Sequence, residues 1–307
     1  MKRTEFTFKS NDNKDIFVYK WNPSNDPVGV IQIAHGMAEH AERYHHFAEY
    51  LTEKGFVVYA NDHRGHKKTA GGLDKIGFFA HENGWHLVAD DLKQLTDIIA
   101  KQNPNLPIFL LGHSMGSLLI RTYITKYNKN IKGVILSGTS GESGFMVKAG
   151  KIVAKLLGAI KGKEVPCIML DNMSFGKFNQ SFKPNRTKFD WLSRDQEQVD
   201  KYINDPYCGT IFTTQFFYDM VSGVDYNNQP ENIAKISKDL PIYFISGSLD
   251  PVGGNGKGVK KVFNDYKNAG IKDIDIKLYP EARHEILNET NKLEVYNDIT
   301  KWILKRF

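Results

Sequence analysis

Residues 107–123 read PIFLLGHSMGSLLIRTY, and this stretch decides how the rest of the chain is interpreted. An apolar run typical of a buried strand leads into Gly-His-Ser-Met-Gly, and a run with helical spacing leaves it. A G-x-S-x-G sequence between a strand and a helix is typical of a nucleophile elbow, a sharp turn that exposes the serine hydroxyl. Gly112 and Gly116 have no Cβ, so the strand and the helix can approach closely there. We therefore predict that Ser114 is a nucleophile, against the alternative of a serine in an ordinary glycine-rich turn.

Strand-like and helix-like segments alternate on both sides of this stretch. Their alternation predicts an α/β fold with a mostly parallel central sheet flanked by helices. In such a sheet, ligands gather outside the carboxyl ends of the strands. The predicted strands span residues 4–8, 16–21, 28–34, 56–60, 107–111, 133–137, 241–246 and 274–279, and the predicted helices span 44–54, 85–100, 117–123, 259–268 and 293–305.

The alternation is interrupted between residues 140 and 230, where no regular order of strands and helices is visible. We therefore expect residues 1–139 and 231–307 to form one α/β core. Residues 140–230 are predicted to be an inserted, mainly helical cap, because they separate two halves that continue the same pattern.

The composition is that of an ordinary globular protein, with 307 residues, 41% hydrophobic and 25% charged. The formal net charge of +6 comes from scattered lysines, which favours solubility over nucleic-acid binding, so no nucleic-acid partner is expected. Two cysteines, Cys167 and Cys208, make neither a disulfide framework nor a Cys-x-x-Cys metal site. We see no signal peptide and no apolar run of membrane-spanning length, so we predict a soluble, cytoplasmic protein.

Asp250 and His284 each follow a predicted strand, as Ser114 does. A serine hydroxyl needs a base within hydrogen-bond reach, and the base needs a carboxylate to orient it. Asp250 could instead be a turn carboxylate, since Asp-Pro is common in turns, and His284 could be an ordinary surface histidine. Because both residues lie at strand ends, we predict the order nucleophile, acid, base for Ser114, Asp250 and His284.

Five segments together resemble the α/β-hydrolase superfamily, and within it the monoacylglycerol lipase and lysophospholipase group of serine aminopeptidase-like hydrolases. The segments are HGMAEH at 35–40 with Arg43 and Tyr44, NDHRGH at 61–66, LLGHSMG at 110–116, GSLDPVG at 247–253 and ARHEILNE at 282–289. The chain departs from the family pattern in two places. Lys67-Lys68-Thr69 stands where the family usually continues Gly-x-Ser, and Ser117 stands where a second glycine is common.

The resemblance implies an α/β-hydrolase fold and a serine hydrolase that cleaves carboxylic esters of lipid type through an acyl-enzyme. The small-molecule substrate would be a monoacylglycerol or a lysophospholipid. The resemblance also assigns the oxyanion hole to the backbone amides of Met37 and Met115. Two alternatives use the same triad, a peptidase or amidase and a general carboxylesterase. An alternative of a different class is a non-catalytic binding protein of the same fold.

No cofactor and no metal ion are required by this chemistry. Histidines at 40, 45, 46, 63 and 66 lack a carboxylate or cysteine at zinc-like spacing, so we predict no metal site among them.

Residues 145–160 have helical spacing, with Lys148, Lys151 and Lys155 in one narrow charged stripe and mostly apolar residues elsewhere. One interpretation is a helix packed on the core with its lysines in water. The other is a lid helix, with Val153 and Leu157 lining an acyl pocket and the lysine edge in transient contact with a membrane or micelle surface. The oligomeric state is left open.

Overall fold

In this computed structural model, residues 1–127, 129–141 and 144–307 are described, residues 145 and 146 by their backbone alone. The described strands form one sheet of eight strands. Along the chain they are β1 (Lys2–Lys9), β2 (Asp15–Asn22), β3 (Gly29–Ala34), β4 (Phe56–Asn61), β5 (Ile108–His113), β6 (Gly133–Ser137), β7 (Ile242–Gly247) and β8 (Ile274–Tyr279).

Across the sheet the strands follow the order β1-β2-β4-β3-β5-β6-β7-β8. β2 pairs antiparallel with both β1 and β4, and the other neighbouring pairs are parallel. The expected α/β fold with a mostly parallel central sheet is therefore confirmed. Each of the predicted strands lies within one or two residues of an observed one.

The helices lie on both faces of the sheet. Among the described residues, no helix combines the length and the apolarity needed to cross a membrane. The helices are α1 (His45–Glu53), α2 (Lys67–Ala70), α3 (Gly84–Gln102), α4 (Met115–Lys126), α5 (Phe145–Lys161), α6 (Ile168–Phe175), α7 (Gln196–Asn204), α8 (Thr214–Asn227), α9 (Pro230–Ile233), α10 (Lys257–Asn268) and α11 (Lys292–Leu304). Single 3₁₀ turns occur at Ala41–Tyr44, Leu73–Lys75, Phe178–Phe182 and Ile286–Asn288.

Strands β3 to β7 are buried along their whole length, which explains why their sequences are nearly continuous apolar runs. Alternate side chains point to opposite faces of a strand. On β3, Ile31 and Ile33 join a core cluster with α1 and α11, whereas Val30 and Ala34 join a second cluster with α3, α4 and α10. The sheet is thus the middle of three layers, and its carboxyl edge stays open for a site.

Helices α5 to α9 all lie in the segment between β6 and β7. α5 packs on α8, and α8 packs in turn on α3 and α4, so this segment is attached to one face of the core. The helix predicted at 145–160 is observed as α5, but α6, α7 and α8 were not predicted. For α7 and α8, the N-cap residues were available signals. Asp195 accepts a hydrogen bond from the Gln198 amide, and Thr213 accepts one from the Phe216 amide.

A fully buried arginine anchors α4, the helix that follows the Gly-His-Ser-Met-Gly turn. Arg121 donates hydrogen bonds to the Ser140 carbonyl at 2.7 Å and to Asn228 Oδ1 at 3.0 Å. These bonds tie α4 to the loop after β6 and to the end of α8. Because a buried charge is costly unless it is hydrogen-bonded, this contact fixes α4 relative to its surroundings.

Two glycines in α5 and α8 provide a matched test of this packing. A Cβ on Gly223 would overlap the indole of Trp85, which is buried and donates to Thr122 Oγ1 at 2.8 Å. We expect Gly223→Ala to lower the free energy of unfolding by about 1–3 kcal/mol, as overpacking does. Gly150 has no atom closer than 4.0 Å to its Cβ position, so Gly150→Ala should raise stability by about 0.5–1 kcal/mol. Urea unfolding measures the change in the free energy of unfolding for each variant. Changes of equal sign and size would contradict this packing.

Candidate active site

Ser114 lies in the sharp turn between β5 and α4. Its backbone angles are φ 52° and ψ −120°, a conformation that L-residues rarely adopt, so the turn is strained. The Ser114 amide donates to the Ser137 carbonyl at 2.9 Å, at the end of β6. The Ser114 carbonyl accepts from the amide and from the hydroxyl of Ser117, at 2.9 and 2.6 Å. These bonds hold the strained turn in place and leave the Ser114 side chain partly exposed.

The two glycines around Ser114 allow α4 to approach the sheet. A Cβ on Gly116 would overlap the Ala34 carbonyl at the end of β3, and a Cβ on Gly112 would overlap the Gly116 carbonyl. Any larger residue would push the helix away from the strand. The close approach expected for G-x-S-x-G is therefore present.

Asp250 lies after β7 and is fully buried. Its Oδ1 atom is 2.9 Å from His284 Nδ1 and accepts the Val252 amide at 2.9 Å. Its Oδ2 atom accepts the Ser246 hydroxyl at 3.1 Å. The carboxylate is thus held from both sides. A proton on Nδ1 of His284 faces Asp250, which leaves Nε2 as the nitrogen that can accept another proton.

The His284 ring lies between two other rings. Its centroid is 5.2 Å from that of Trp191 and 4.6 Å from that of His113. Burial acts to lower the pKa of His284, but the charge of Asp250 and its hydrogen bond outweigh burial, so the pKa is raised. Burial and the neighbouring His284 hold the pKa of His113 well below its ordinary value. Of this pair, His284 is therefore the ring that takes up a proton more readily.

Ser114 and His284 line one cavity of about 850 Å³ above the carboxyl edge of the sheet. Among the described residues, their hydrogen bonds do not include one between the two side chains. Such contacts are often long in free enzymes and shorten when substrate binds. The structure thus pairs Asp250 with His284 directly, and brings Ser114 to the same cavity.

The residues predicted to supply oxyanion amides belong to segments that adjoin Ser114. Met37 lies in the loop after β3 and lines the cavity. Its neighbour Gly36 is so close to the nucleophile that a Cβ there would lie 3.2 Å from Ser114 Cβ. Met115 is the first residue of α4, so its amide has no acceptor within the helix. The Met115 amide therefore begins α4 directly beside Ser114, and Met37 lies in the loop that packs against the same turn.

The wall of the cavity comes largely from the segment between β6 and β7. It combines apolar and polar side chains, and its size is typical of small-molecule sites. Residues of α6 contribute at helical spacing, and this period is the local signal in the sequence that points to them. The apolar lining residues include Ile168, Phe175, Phe189, Trp191, Leu192, Ile211 and Val252, and the polar ones include Asp171, Asn172, Asn179, Asn185, Thr187, Lys188 and Thr210.

Val153 and Leu157 do not line this cavity. Both are half-buried and pack against the core cluster that includes residues of α4 and α8. The prediction that they form the wall of an acyl pocket is therefore wrong, because their face of α5 is the one that packs on α8. For these two residues, the packing interpretation is correct.

One group of potential metal ligands lies among the described residues, formed by His40, Asp205 and Cys208. His40 Nε2 is 2.8 Å from Asp205 Oδ2, and the Lys67 ammonium lies 3.4 Å from both ring nitrogens of His40. Burial raises the pKa of the Cys208 thiol well above its ordinary value. A neutral thiol is a poor ligand for a divalent cation, and the Lys67 ammonium beside His40 repels a second positive charge. The group is a hydrogen-bonded cluster that links the loop after β3 to the loop after α7.

A family model described as serine aminopeptidase, S33, matches residues 25–291. A monoacylglycerol lipase from Mycolicibacterium smegmatis is 30% identical over 310 residues, covering 98% of this chain and 97% of that protein. A human monoglyceride lipase is 26% identical, covering 96% of this chain and 88% of that protein. A carboxyl esterase from Bacillus coagulans, solved with glycerol, superposes with a TM-score of 0.92 at 32% identity over 100% of this chain and 99% of that one. The chain therefore belongs to the serine aminopeptidase S33 family.

Proposed function

We propose that this protein is a serine hydrolase that cleaves carboxylic esters of lipid type, with monoacylglycerols as its main substrates. The observation that carries the proposal is the pair of Asp250 and His284, joined at 2.9 Å beside a cavity that also contains the strained Ser114 turn. The full-length similarity to monoacylglycerol lipases supports the substrate class. A lysophospholipid offers the same acyl ester and is the nearest alternative lipid.

In the proposed first step, Ser114 Oγ attacks the ester carbonyl carbon while His284 Nε2 takes the hydroxyl proton. Asp250 keeps the other ring nitrogen protonated and stabilises the imidazolium that forms. The carbonyl oxygen becomes an oxyanion, which the amides of Met37 and Met115 would stabilise. Removing one such donor in other enzymes costs about 2.7–4 kcal/mol. The amide donors therefore account for a large share of the barrier reduction.

The tetrahedral intermediate then breaks its bond to the alcohol, which leaves with the proton from His284. The acyl group remains on Ser114 as an ester. A water molecule, deprotonated by His284, attacks this acyl-enzyme, and the second tetrahedral intermediate releases the fatty acid and restores the serine. The chemistry uses side chains and backbone amides throughout, so we propose that it needs no cofactor.

The cavity supports a substrate with an apolar chain and a small polar head. Aromatic and aliphatic side chains such as Phe175 and Trp191 offer apolar surface to an acyl chain. Amide side chains such as Asn172 and Asn179 offer hydrogen bonds to the hydroxyls of a glycerol group. We further propose that residues 140–230 act as a cap, since the segment between β6 and β7 supplies most of this wall.

The cap also carries an exposed apolar face, which suits a lipid surface better than water. On α5, Ile152, Leu156 and Ile160 follow one another at four-residue intervals and are 60%, 57% and 79% exposed. Helix geometry places the lysine stripe along one edge of this row. Exposed apolar side chains beside lysines are typical of contacts with anionic membranes. The next helix, α6, adds exposed side chains of the same kind at Ile168, Met169 and Met173.

A hydrolysis screen discriminates the proposed function from its alternatives. Purified protein is assayed on monoacylglycerols, on soluble nitrophenyl esters of graded length, and on aminoacyl arylamides. We expect a higher kcat/KM for the monoacylglycerols than for the arylamides. Preferred cleavage of the arylamides would favour the peptidase alternative, and a preference for short soluble esters would favour a general carboxylesterase.

Ser114→Ala should lower kcat by about 10⁴-fold or more, because no other group can form the acyl-enzyme. A fluorophosphonate probe should label Ser114 in the unmodified protein and leave the variant unlabelled, as read by peptide mass. Ser222→Ala is the matched control, since the Ser222 hydroxyl donates to the Tyr218 carbonyl within α8 and, among the described residues, Ser222 is not part of the cavity wall. A Ser114→Ala rate within tenfold of the control would show that Ser114 is not the nucleophile.

The pH dependence should report on His284. Nε2 must be unprotonated to accept the Ser114 proton, so kcat/KM falls as the pH drops through the His284 pKa. Because Asp250 raises this pKa, the acid limb should have its midpoint above the ordinary value of 6.5. In Asp250→Asn the charge is absent, so the midpoint should move to lower pH, and the maximum rate should fall by about 10⁴-fold. Rate profiles from pH 5 to pH 9 measure the midpoint and the maximum rate of each protein. A midpoint that is the same in Asp250→Asn would contradict the assignment of His284 as the base.

Replacing Ile152, Leu156 and Ile160 together with serine should weaken action at a lipid surface. We expect the apparent KM for a monoacylglycerol in anionic vesicles to rise by about tenfold, since each side chain would lose part of the 1.5–3 kcal/mol available on burial. Turnover of a soluble acetate ester should stay unchanged. Leu293→Ser, an exposed leucine on α11, is the control. Equal losses on both substrates would mean that this face serves the fold and not the lipid surface.

A further inference from the structure

Three charged side chains that have no predicted role are buried behind the candidate site. The side chains of Glu39, Arg43 and Glu285 are 4%, 11% and 6% exposed. Arg43 Nη1 donates to Glu39 Oε2 at 2.8 Å and to Glu285 Oε1 at 2.6 Å. One guanidinium therefore joins two carboxylates that are 246 residues apart in sequence.

Glu39 is bound to the backbone of the loop that contains Met37. Its Oε1 atom accepts the Gly36 amide at 2.6 Å and the Tyr44 hydroxyl at 2.8 Å. Since Gly36 immediately precedes Met37, this bond determines where the Met37 peptide can lie. Gly36 also lies against Ser114, where a Cβ would come within 3.2 Å of Ser114 Cβ. A shift of this loop would therefore change the geometry at the nucleophile.

Glu285 is the residue after His284, and it is held equally tightly. Arg43 binds it through two parallel hydrogen bonds of 2.6 and 2.7 Å, and Asn288 Nδ2 donates to it at 2.9 Å. Its own amide donates to the Leu192 carbonyl at 2.7 Å. Bidentate pairs between arginine and carboxylate fix orientation as well as distance. The backbone that carries His284 is thereby fixed to the same guanidinium as the loop of Met37.

The two carboxylates respond differently to the shared guanidinium. Burial acts to raise the pKa of Glu285, but the charge of Arg43 and its two hydrogen bonds outweigh it and lower the pKa to about 2. Burial is the main influence on Glu39 and raises its pKa. The hydrogen bonds agree, because Arg43 donates two of them to Glu285 and one to Glu39. Glu39 depends on the geometry of its hydrogen bonds, which makes its position sensitive to an isosteric change.

A role in substrate binding does not fit this cluster. Glu39 and Glu285 also belong to the wall of the large cavity, but their side chains are 4% and 6% exposed. Their carboxylate oxygens accept hydrogen bonds from groups of the protein itself. The space that all three charged residues share is a separate cavity of about 10 Å³, which is too small for any part of a lipid ester. A role in stability alone is a weak explanation, because buried ion pairs often contribute little compared with apolar residues of the same size. What distinguishes the cluster is the two loops that it connects.

We propose that Glu39 is a positioning residue for the oxyanion hole, and that Arg43 couples it to the segment of His284. This inference rests on the proposed roles of Ser114, Met37 and His284. Glu39 acts through the Gly36 amide, because both of its carboxylate oxygens are bound by groups of the protein, the Gly36 amide, the Tyr44 hydroxyl and Arg43. Because small misplacements of catalytic groups cost much of their effect, the loss of this contact should lower kcat and leave substrate binding intact.

Glu39→Gln tests the proposal with an isosteric side chain. The variant can still accept the Gly36 amide with its carbonyl oxygen, but its NH₂ group then faces the Arg43 donor, so the arrangement cannot be kept. We expect kcat for a soluble ester to fall by about 10- to 100-fold with KM within about twofold. Inhibition by a trifluoromethyl ketone, whose adduct carries an oxyanion, should weaken by a similar factor.

Asp91→Asn is the matched control. Asp91 Oδ2 accepts Arg64 Nε at 2.6 Å, and both side chains are 3% exposed, but neither residue lines the large cavity. This variant also breaks a buried pair of arginine and carboxylate, so it should lose comparable stability in urea unfolding and keep its kcat. Tyr44→Phe is a second variant that removes one hydroxyl from Glu39, and we expect it to lower kcat by about threefold.

The outcomes separate this inference from the proposed function. If both the Glu39→Gln and Tyr44→Phe variants keep the kcat of the unmodified protein, or if Asp91→Asn loses as much kcat as Glu39→Gln, the positioning role is overturned. If Glu39→Gln does not fold, Tyr44→Phe decides. If the unmodified protein neither cleaves esters nor reacts with a fluorophosphonate at Ser114, the proposed function fails first.

Discussion

The strained turn at Ser114 is the constraint around which the rest of the structure is arranged. Its backbone lies in a conformation that costs about 1–3 kcal/mol, and it persists because the surrounding bonds leave it no alternative. The Ser114 amide is tied to β6, its carbonyl to α4, and α4 lies against β3 without room for a side chain at Gly116. Three neighbouring elements thus hold one serine at the open edge of the sheet. The buried Arg121 extends this anchoring to the end of α8.

The fold and the three triad candidates could be predicted from sequence because their signals are local. The central strands are apolar runs, since both faces of the sheet are covered. The G-x-S-x-G turn needs glycine at 112 and 116 because backbone atoms occupy the space of a side chain there. Parallel strands then bring their carboxyl ends to one edge. The shared edge of the strand ends is what predicted that Asp250 and His284 lie near Ser114, although each of them is more than a hundred residues away from Ser114 in sequence.

The rest of the site could not be predicted because it depends on contacts that leave no local pattern. Most of the cavity wall comes from the segment between β6 and β7, where α6 contributes at helical spacing but the loops after it contribute side chains with no repeating period. On α5, composition indicated an apolar helix but not which face packs on α8, so Val153 and Leu157 were assigned to the wrong surface. The contact of Arg43 with Glu285 joins distant segments, and each residue alone resembles an ordinary surface charge.

Burial and a neighbouring charge act on His284 in opposite directions. Trp191 and His113 exclude water from the ring, which by itself would make the imidazolium costly. Asp250, held by the Val252 amide and the Ser246 hydroxyl, more than offsets this cost. The His284 ring is therefore both shielded from solvent and able to carry a proton. Because charges interact more strongly where water is excluded, the burial that makes the imidazolium costly also strengthens its contact with Asp250.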